Sequence, residues 1–341
     1  MSSRVELVRL LRNGVSGPGG TRPCLALAPI ATVTHAGFRT LVAEHGGCDL
    51  FWTEMTSSEA LVNGTPFESY YLENAPLPRR TIFQLVGYSS DAICDAAEIA
   101  VARGFAGVDI NFACSAPHIV RKGGGIAWIL RRDAALQLIA RIRDRVPAVT
   151  LSVKLRLPTR EPADLIPFCR DAADRGVDFV TLHPKLRKEG PLRRARWTAV
   201  TALRAGLDIP VIGSGGITGW DSLRERVRTG GDGPLMIGRG AVRAPWLFAY
   251  LDRKFRDTTY EHHVDLHDVL NRYHALLEAY QPEEFLATRA RRFYPYFFAN
   301  YRFGTRVGAH LAQMKDYSAA RAAAEQYVAE HGDESEYVET R

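Results

Sequence analysis

Chemistry in this chain concentrates where an apolar run turns polar. Ala106 to Phe112 reads as a strand buried on both faces, yet it carries Asp109 and Asn111 and is followed by Cys114 and then by Arg121-Lys122-Gly123-Gly124-Gly125. A purely structural strand needs none of those groups, and the carboxyl ends of parallel strands are where α/β proteins place their chemistry. A thiol there can act as a general acid, since its ordinary pKa of about 8.5 leaves it protonated yet able to donate at neutral pH. Three consecutive glycines after it give the segment Ser115 to Gly125 the freedom expected of a lid.

Other runs end in the same way. Gln84, Lys154 with Arg156, His183, Ser214-Gly215-Gly216 and Gly238-Arg239-Gly240 each close an apolar stretch. Together with Asn111 they describe a flavin site. The amides of Gln84 and Asn111 suit the donor and acceptor edge of a pyrimidine ring, and Lys154 suits the edge where negative charge collects on reduction. The Gly-rich turns with Arg239 suit a phosphate. Gln84 or Lys154 alone reads more readily as a satisfied core polar group than as a ligand; the alignment at successive strand ends carries the reading.

The elements that must position them are legible as periodicity. Cys24 to Pro29, Leu50 to Met55, Thr81 to Val86, Ala106 to Phe112, Val149 to Leu155, Val177 to His183, Ile209 to Gly213 and Pro234 to Gly238 are short apolar runs, each followed by a helix-period segment. Eight such units predict a (β/α)8 TIM barrel, an α/β fold, over residues 23–252. Residues 1–22 read as an N-terminal cap and linker, with a helix over Arg4 to Arg12 and a breaker at Gly17-Pro18-Gly19-Gly20. After Leu251 only helical patterns remain: Asp265 to Tyr280, Glu283 to Asn300, Val307 to Met314 and Ser318 to His331 predict a helical domain over 253–331, and 332–341 reads as an acidic tail.

Composition bounds the rest. The chain has 341 residues, 46% hydrophobic content and a net charge of +6, enough for a large core and a mild preference for polyanions. No run of about 20 apolar residues predicts a membrane span, and the N-terminal segment lacks the apolar stretch of a secretory leader, so a cytoplasmic protein is expected. Five scattered cysteines predict neither a disulfide framework nor a metal site. Lys185, Arg187, Lys188, Arg193, Arg194 and Arg196 crowd one loop, which suggests phosphate contacts or a solvated surface. In the helical domain Arg289, Arg291, Arg292, Arg302 and Arg306 alternate with Phe293, Tyr294, Tyr296, Phe297, Phe298, Tyr301 and Phe303. Most of those rings are expected in the helix core, and the arginines on a basic, RNA-binding face.

Taken in order, Ala28-Pro29-Ile30-Ala31-Thr32-Val33-Thr34 with Phe38-Arg39, Thr53-Glu54-Met55, Gln84, Asp109-Ile110-Asn111 with Cys114, Arg121 to Gly125, Val153-Lys154-Leu155-Arg156, His183, Met236 to Gly240 and Pro245-Trp246 resemble the dihydrouridine synthases. The resemblance implies an FMN enzyme that uses NADPH to reduce the 5,6 double bond of uridines in RNA, usually tRNA. It assigns a hydride to carbon 6 of uracil and a proton from Cys114 to carbon 5. It implies that Ala28, Pro29, Ile30, Gln84, Lys154, His183, Ser214, Gly215, Gly216, Gly238 and Arg239 hold the cofactor. Asn111, Arg156, Lys185 and Arg187 would hold the nucleotide, with Arg291 and Arg292 on the RNA-binding face of a monomer. NADPH rests on the resemblance alone, because Gly17 to Gly20 has neither the spacing nor the setting of a dinucleotide fingerprint.

The chain also departs from the family pattern. Ala113-Cys114-Ser115 stands where the family has Gly-Cys-Pro, Thr32-Val33-Thr34-His35 where it has Gly-Val-Thr-Asp, His183-Pro184-Lys185-Leu186-Arg187 where it has His-Gly-Arg-Thr-Arg, and Ser214-Gly215-Gly216 where it has Asn-Gly-Asp. Losing one proline and gaining Pro184 should alter loop geometry on two sides of the substrate. A flavin barrel acting on a small molecule, and a silent RNA-binding relative, remain as alternative readings.

Overall fold

Runs that are apolar on both faces make strands that must pack helices outside and side chains inside, and a closed barrel satisfies both. The computed structural model describes residues 3–17, 20–190 and 193–331. The acidic tail at 332–341 and the Pro18-Gly19 pair lie outside the described residues. Eight parallel strands alternate with helices: β1 (Leu25–Leu27), β2 (Leu50–Trp52), β3 (Thr81–Val86), β4 (Gly107–Phe112), β5 (Thr150–Leu157), β6 (Phe179–Leu186), β7 (Val211–Ser214) and β8 (Leu235–Ile237). The sheet runs β2-β1-β8-β7-β6-β5-β4-β3 and closes through a β2–β3 pairing, so each expected run is a barrel strand. A two-residue strand at Thr56–Ser57 extends the edge of β3, and a hairpin joins Val15–Gly17 to Gly20–Arg22; neither was expected from the sequence.

Three strands, β5, β6 and β7, outrun their expected ends. β6 continues through Pro184 to Leu186, because the β5–β6 register jumps from Arg156↔His183 to Leu157↔Leu186. Pro184 and Lys185 are the extra residues of that irregularity, where a missing N–H costs no ladder bond. Pro184 therefore does not open a loop after His183; it sits in a bulge, and the loop starts later.

The barrel interior packs Ala26, Leu50, Trp52, Ile82, Phe179, Ile212 and Met236 around one axis, and the first helix, α1 (Ser3–Asn13), closes the amino-terminal end with Leu7 and Leu11. Each of those leucines contributes about 1.5–3 kcal/mol by leaving water. Arg4 Nε pins the helix to Asp178 Oδ1 at 2.7 Å. The opposite, carboxyl end is the one left for chemistry.

Beyond the barrel stand Leu266–Tyr280, Glu283–Phe297, Gly304–Leu311 and Tyr317–His331, four helices close to the expected segments. Phe293, Tyr294, Phe297, Phe298 and Tyr301 are buried as helix core, while Tyr296 and Phe303 stay outside, 37% and 69% exposed. The helices dock on the barrel: Phe293 stacks on Tyr273 at 3.7 Å and meets Phe38, on the helix after β1, edge-on at 6.3 Å.

Candidate active site at the barrel mouth

Alternation along the strands sets the site. In β4, β5 and β6 every second residue faces inward, which brings Asp109 and Asn111, Ser152 and Lys154, and Thr181 and His183 to the upper interior. The register sets Gln84 beside Asp109, Asp109 beside Ser152, Asn111 beside Lys154, and Arg156 beside His183. The apolar floor thus gives way to a polar layer within one pair of residues along each strand.

That layer is a relay of hydrogen bonds ending at the thiol. The Asp109 carboxylate accepts from Ser152 Oγ at 2.7 Å and from Gln84 Nε2 at 2.6 Å. Gln84 Oε1 then accepts from Asn111 Nδ2 at 3.0 Å, and Asn111 Oδ1 accepts from the backbone N–H groups of Ala113 and Cys114 at 3.0 and 2.8 Å. Burial pushes the Asp109 carboxyl up, and its hydrogen bonds with Gln84 and Ser152 oppose that shift. The residues expected to offer amides to a ring therefore have a further use: they fix one another and the position of Cys114. Gln84 is almost fully buried and keeps one amide N–H beyond this relay. Ser152 is a member that the sequence reading missed; an inward position two residues before Lys154 was the available signal.

The segment after the thiol folds back upon it. A short helix at Pro117–Arg121 leads to Gly123 and Gly125, and Ile126 N–H bonds to the Cys114 carbonyl at 3.0 Å. Gly125 has φ +60°, and a Cβ there would stand 2.4 Å from Cys114 O, so only glycine lets this loop close on the thiol. Cys114 itself is partly exposed at the mouth.

Around the thiol gather cations. Arg156 spans the mouth, its Nη1 donating to Ser115 Oγ at 3.2 Å and Leu186 O at 3.4 Å, while its buried Nε has no partner among the described residues. Lys154 has no hydrogen bond or ion pair among the described residues, and burial lowers its ammonium to about 8 despite the attraction of Asp109. Burial, reinforced by Lys154, Arg156, Lys185 and Arg239, pushes the His183 imidazole down to about 2, which keeps it neutral. Four cations converging on a neutral imidazole make an electropositive pocket suited to an anion.

Lys154, His183 and Arg239 open into a cleft of about 440 Å³, whose walls also include Ala28, Pro29, Ile30, Ser214, Gly215, Gly216 and Gly238. Gly215 has φ +118°, and a Cβ on it would approach the His183 ring to 2.9 Å, so the turn after β7 needs glycine. The far wall comes from Arg243 and from Pro295, Tyr296 and Ala299 of the helical region, which the sequence reading had not placed at the site. Arg243 joins the two parts, donating to Asn300 Oδ1 at 3.1 Å and Ala299 O at 2.9 Å.

Glu54, just beyond β2, supports the rim of that cleft. Its carboxylate accepts from Arg289 Nη1 at 2.7 Å, both side chains buried, and from the Thr32 backbone N–H at 2.7 Å. Thr32 has φ +65°, a left-handed conformation that costs a β-branched residue about 1–3 kcal/mol and survives only where its surroundings hold it. The pair thus fastens the loop after β1 and the helical region to one carboxylate.

Three residues expected to meet substrate are placed differently. Lys185 is buried in the bulge, its Nζ 3.4 Å from Gly190 O, where it braces its own loop. Arg291 is half-buried and donates from Nε to Ala312 O at 2.6 Å, so it ties two helices together. Arg289, expected on a basic face, is the buried partner of Glu54. Arg187 and Arg292 are exposed.

A closed (β/α)8 barrel with a thiol and a cation-lined cleft at the carboxyl ends of its strands has the layout of a barrel enzyme. The family model for dihydrouridine synthase matches residues 26–331, and the chain belongs to that family, whose members are flavin-dependent oxidoreductases. It is 32% identical over 235 residues to a probable tRNA-dihydrouridine synthase of Rhodobacter capsulatus, covering 67% of this chain and 71% of that one. It is 31% identical over 236 residues to tRNA-dihydrouridine synthase B of Xanthomonas axonopodis, covering 68% and 70%. Among solved structures, a 2-naphthoyl-CoA reductase aligns with TM-score 0.53 at 12% identity over 92% of this chain and 58% of that one, which is a likeness of fold alone.

Proposed function

We propose that this protein reduces uridine to 5,6-dihydrouridine in tRNA, with FMN as its cofactor and NADPH as the reductant. The observation that carries the reading is the relay that positions Cys114 beside unpaired cations in the mouth of a barrel of this family. The residues present fit FMN: the cleft offers a glycine turn that tolerates no Cβ and a Lys154 with no hydrogen bond or ion pair among the described residues, and beside it Arg156 has a buried Nε with no acceptor among them. Lys154 and His183 would face the ring system, and Ser214, Gly215, Gly216, Gly238 and Arg239 the phosphate, beside the short helix that starts after β8. Ala28, Pro29 and Ile30 would pack the rim, with Gln84 beneath them.

Reducing the 5,6 double bond takes a hydride at one carbon and a proton at the other. Bound FMN supplies the hydride. Cys114 gives its proton to carbon 5, which leaves a thiolate, and Lys154 and Arg156 favour that charge. Asn111 holds the thiol where that transfer can occur, and Arg156 Nε is free to donate to a uracil carbonyl. A base inside a folded RNA must leave its stack to reach this mouth, so the protein must also grip the strand around it. Arg187 and Arg292 are exposed for that task, in a monomer acting in the cytoplasm. Among the described residues no helix is long and apolar enough to cross a membrane.

Dihydrouridine mapped by position in tRNA from cells with and without the gene tests this reading. Loss at a defined position is expected. Unchanged dihydrouridine in every RNA would contradict it and favour a small-molecule substrate.

A further inference from the structure

A second, larger opening adjoins the cleft and has no part in the chemistry above. It is a groove of about 870 Å³ beneath the loop after β6, lined by Arg160, Lys188, Arg193, Arg194 and Arg196 with one carboxylate, Glu189. That carboxylate is committed. Glu189 Oε2 accepts from Arg196 Nη1 at 2.6 Å and from Leu186 N–H at 2.9 Å, and the hydrogen bond from Arg196 leads the causes that hold its carboxyl down at about 2. Arg196 N–H bonds to Pro184 O at 2.9 Å, and Lys185 Nζ reaches Gly190 O from within. Among the described residues the one ion pair in the groove therefore shapes the loop and cancels one cation. Arg160, Lys188, Arg193 and Arg194 are exposed, and none makes a side-chain hydrogen bond or ion pair among the described residues.

Groove and cleft share a wall. Ala195 lines the groove, and a Cβ on Gly215, which lines the cleft, would meet Ala195 Cβ at 3.4 Å. Trp197 Nε1 bonds to Gly215 O at 2.9 Å, and Arg156 reaches Leu186 O, also in the groove wall. A strand whose target base occupies the mouth would cross this wall within a few nucleotides.

We propose that the groove formed by Arg160, Lys188, Arg193 and Arg194 binds the phosphate backbone of the RNA next to the reacting nucleotide. The proposal rests on the RNA reading above and adds to it where the strand is held. Four unpaired cations spread along an open trough, with no buried donor set converging on one point, suit a chain of phosphates better than a single small anion. Such contacts fix register and carry no base information. They also make binding salt-dependent, by about 0.7–0.9 per phosphate in the slope of log K against log salt.

The test compares the FMN-loaded full chain with its Lys188→Ala/Arg193→Ala/Arg194→Ala variant, using an unmodified tRNA transcript over a series of salt concentrations. The expected result is a slope smaller by about two to three and a KM for RNA raised about tenfold, with flavin content and RNA-independent NADPH oxidation unchanged. An unchanged slope and KM would overturn the proposal. So would an equal loss in a control lacking Arg103, Arg224 and Arg228, since net charge alone would then be responsible. A raised KM for NADPH with RNA binding intact would assign the groove to the dinucleotide and also overturn it. Failure of the parent protein to bind the transcript at any salt would instead sink the RNA reading itself.

Discussion

The cations at the barrel mouth and the arginines of the helical region look alike in the sequence, and the structure uses them in opposite ways. At the mouth Lys154 has no hydrogen bond or ion pair among the described residues, and Arg156 keeps a buried Nε without an acceptor. In the helical region Arg289 is locked to Glu54, Arg291 to a backbone carbonyl, Arg272 to Glu44 and Arg321 to Glu278 and Glu325. A buried cation left without a partner bears its full desolvation cost, whereas pairing offsets much of it. The mouth carries that cost where a ligand can relieve it. The helical arginines relieve theirs within the protein, which leaves Arg292, Arg302 and Arg306 exposed on that side.

The sharpest division should come from Cys114→Ala. Loss of a general acid lowers the rate by about 10²–10⁴-fold; dihydrouridine formation should fall by that much while flavin content and NADPH oxidation persist. A normal rate would remove the thiol from the reaction.

On the structural side, Glu54→Ala should destabilise by about 3–5 kcal/mol in denaturant unfolding, because it strands Arg289 and removes the acceptor for Thr32 N–H. A second change, Arg289→Met, should restore much of that loss. Lys154→Met, by contrast, should keep or raise stability and weaken flavin retention. If Lys154→Met were the more destabilising of the two, the contrast between the regions would be inverted.

Lys154 also predicts a pH dependence. Its folded pKa of about 8 lies below the ordinary lysine value, so the ammonium is present below that pH and is lost as pH rises through it. Affinity of the apoprotein for FMN should therefore fall from pH 7 to pH 9, and titrations of the Lys154→Met variant should show a flatter profile over that range. Equal profiles would place the cation away from the ligand.

The smallest effects separate two neighbours on one helix. Arg291→Ala should cost about 1 kcal/mol through its lost hydrogen bond and leave the salt slope of RNA binding alone. Arg292→Ala should leave the melting temperature alone and lower that slope by about 0.7–0.9. Interchanged results would assign the two arginines to each other's roles.

Much of the mouth was legible because polar residues stood out against apolar runs. Asn111, Lys154 and His183 interrupt strands that otherwise need only Val, Ile, Leu and Phe, and Cys114 follows closely on one of them. What those residues bond was not legible, because Gln84 and Asp109 are 25 positions apart and Asp109 and Ser152 are 43 apart, adjacent only through barrel register. The destination of Arg289 was hidden for the same reason, its carboxylate lying 235 positions away. The burial of Lys185 was hidden by a bulge, whose two extra residues change the register without changing composition. Spacing on a helix shows which residues share a face; it does not show which face meets the barrel.

Reduction of uridine here requires this mouth to bring a proton donor to uracil beside reduced flavin. It is tested most directly by reducing the FMN-loaded protein without oxygen, adding an unmodified tRNA transcript and following flavin absorbance. The transcript is expected to reoxidise the flavin with matching formation of dihydrouridine, and Cys114→Ala to slow both steeply. Flavin that stays reduced in the presence of RNA bound by the parent protein would contradict it.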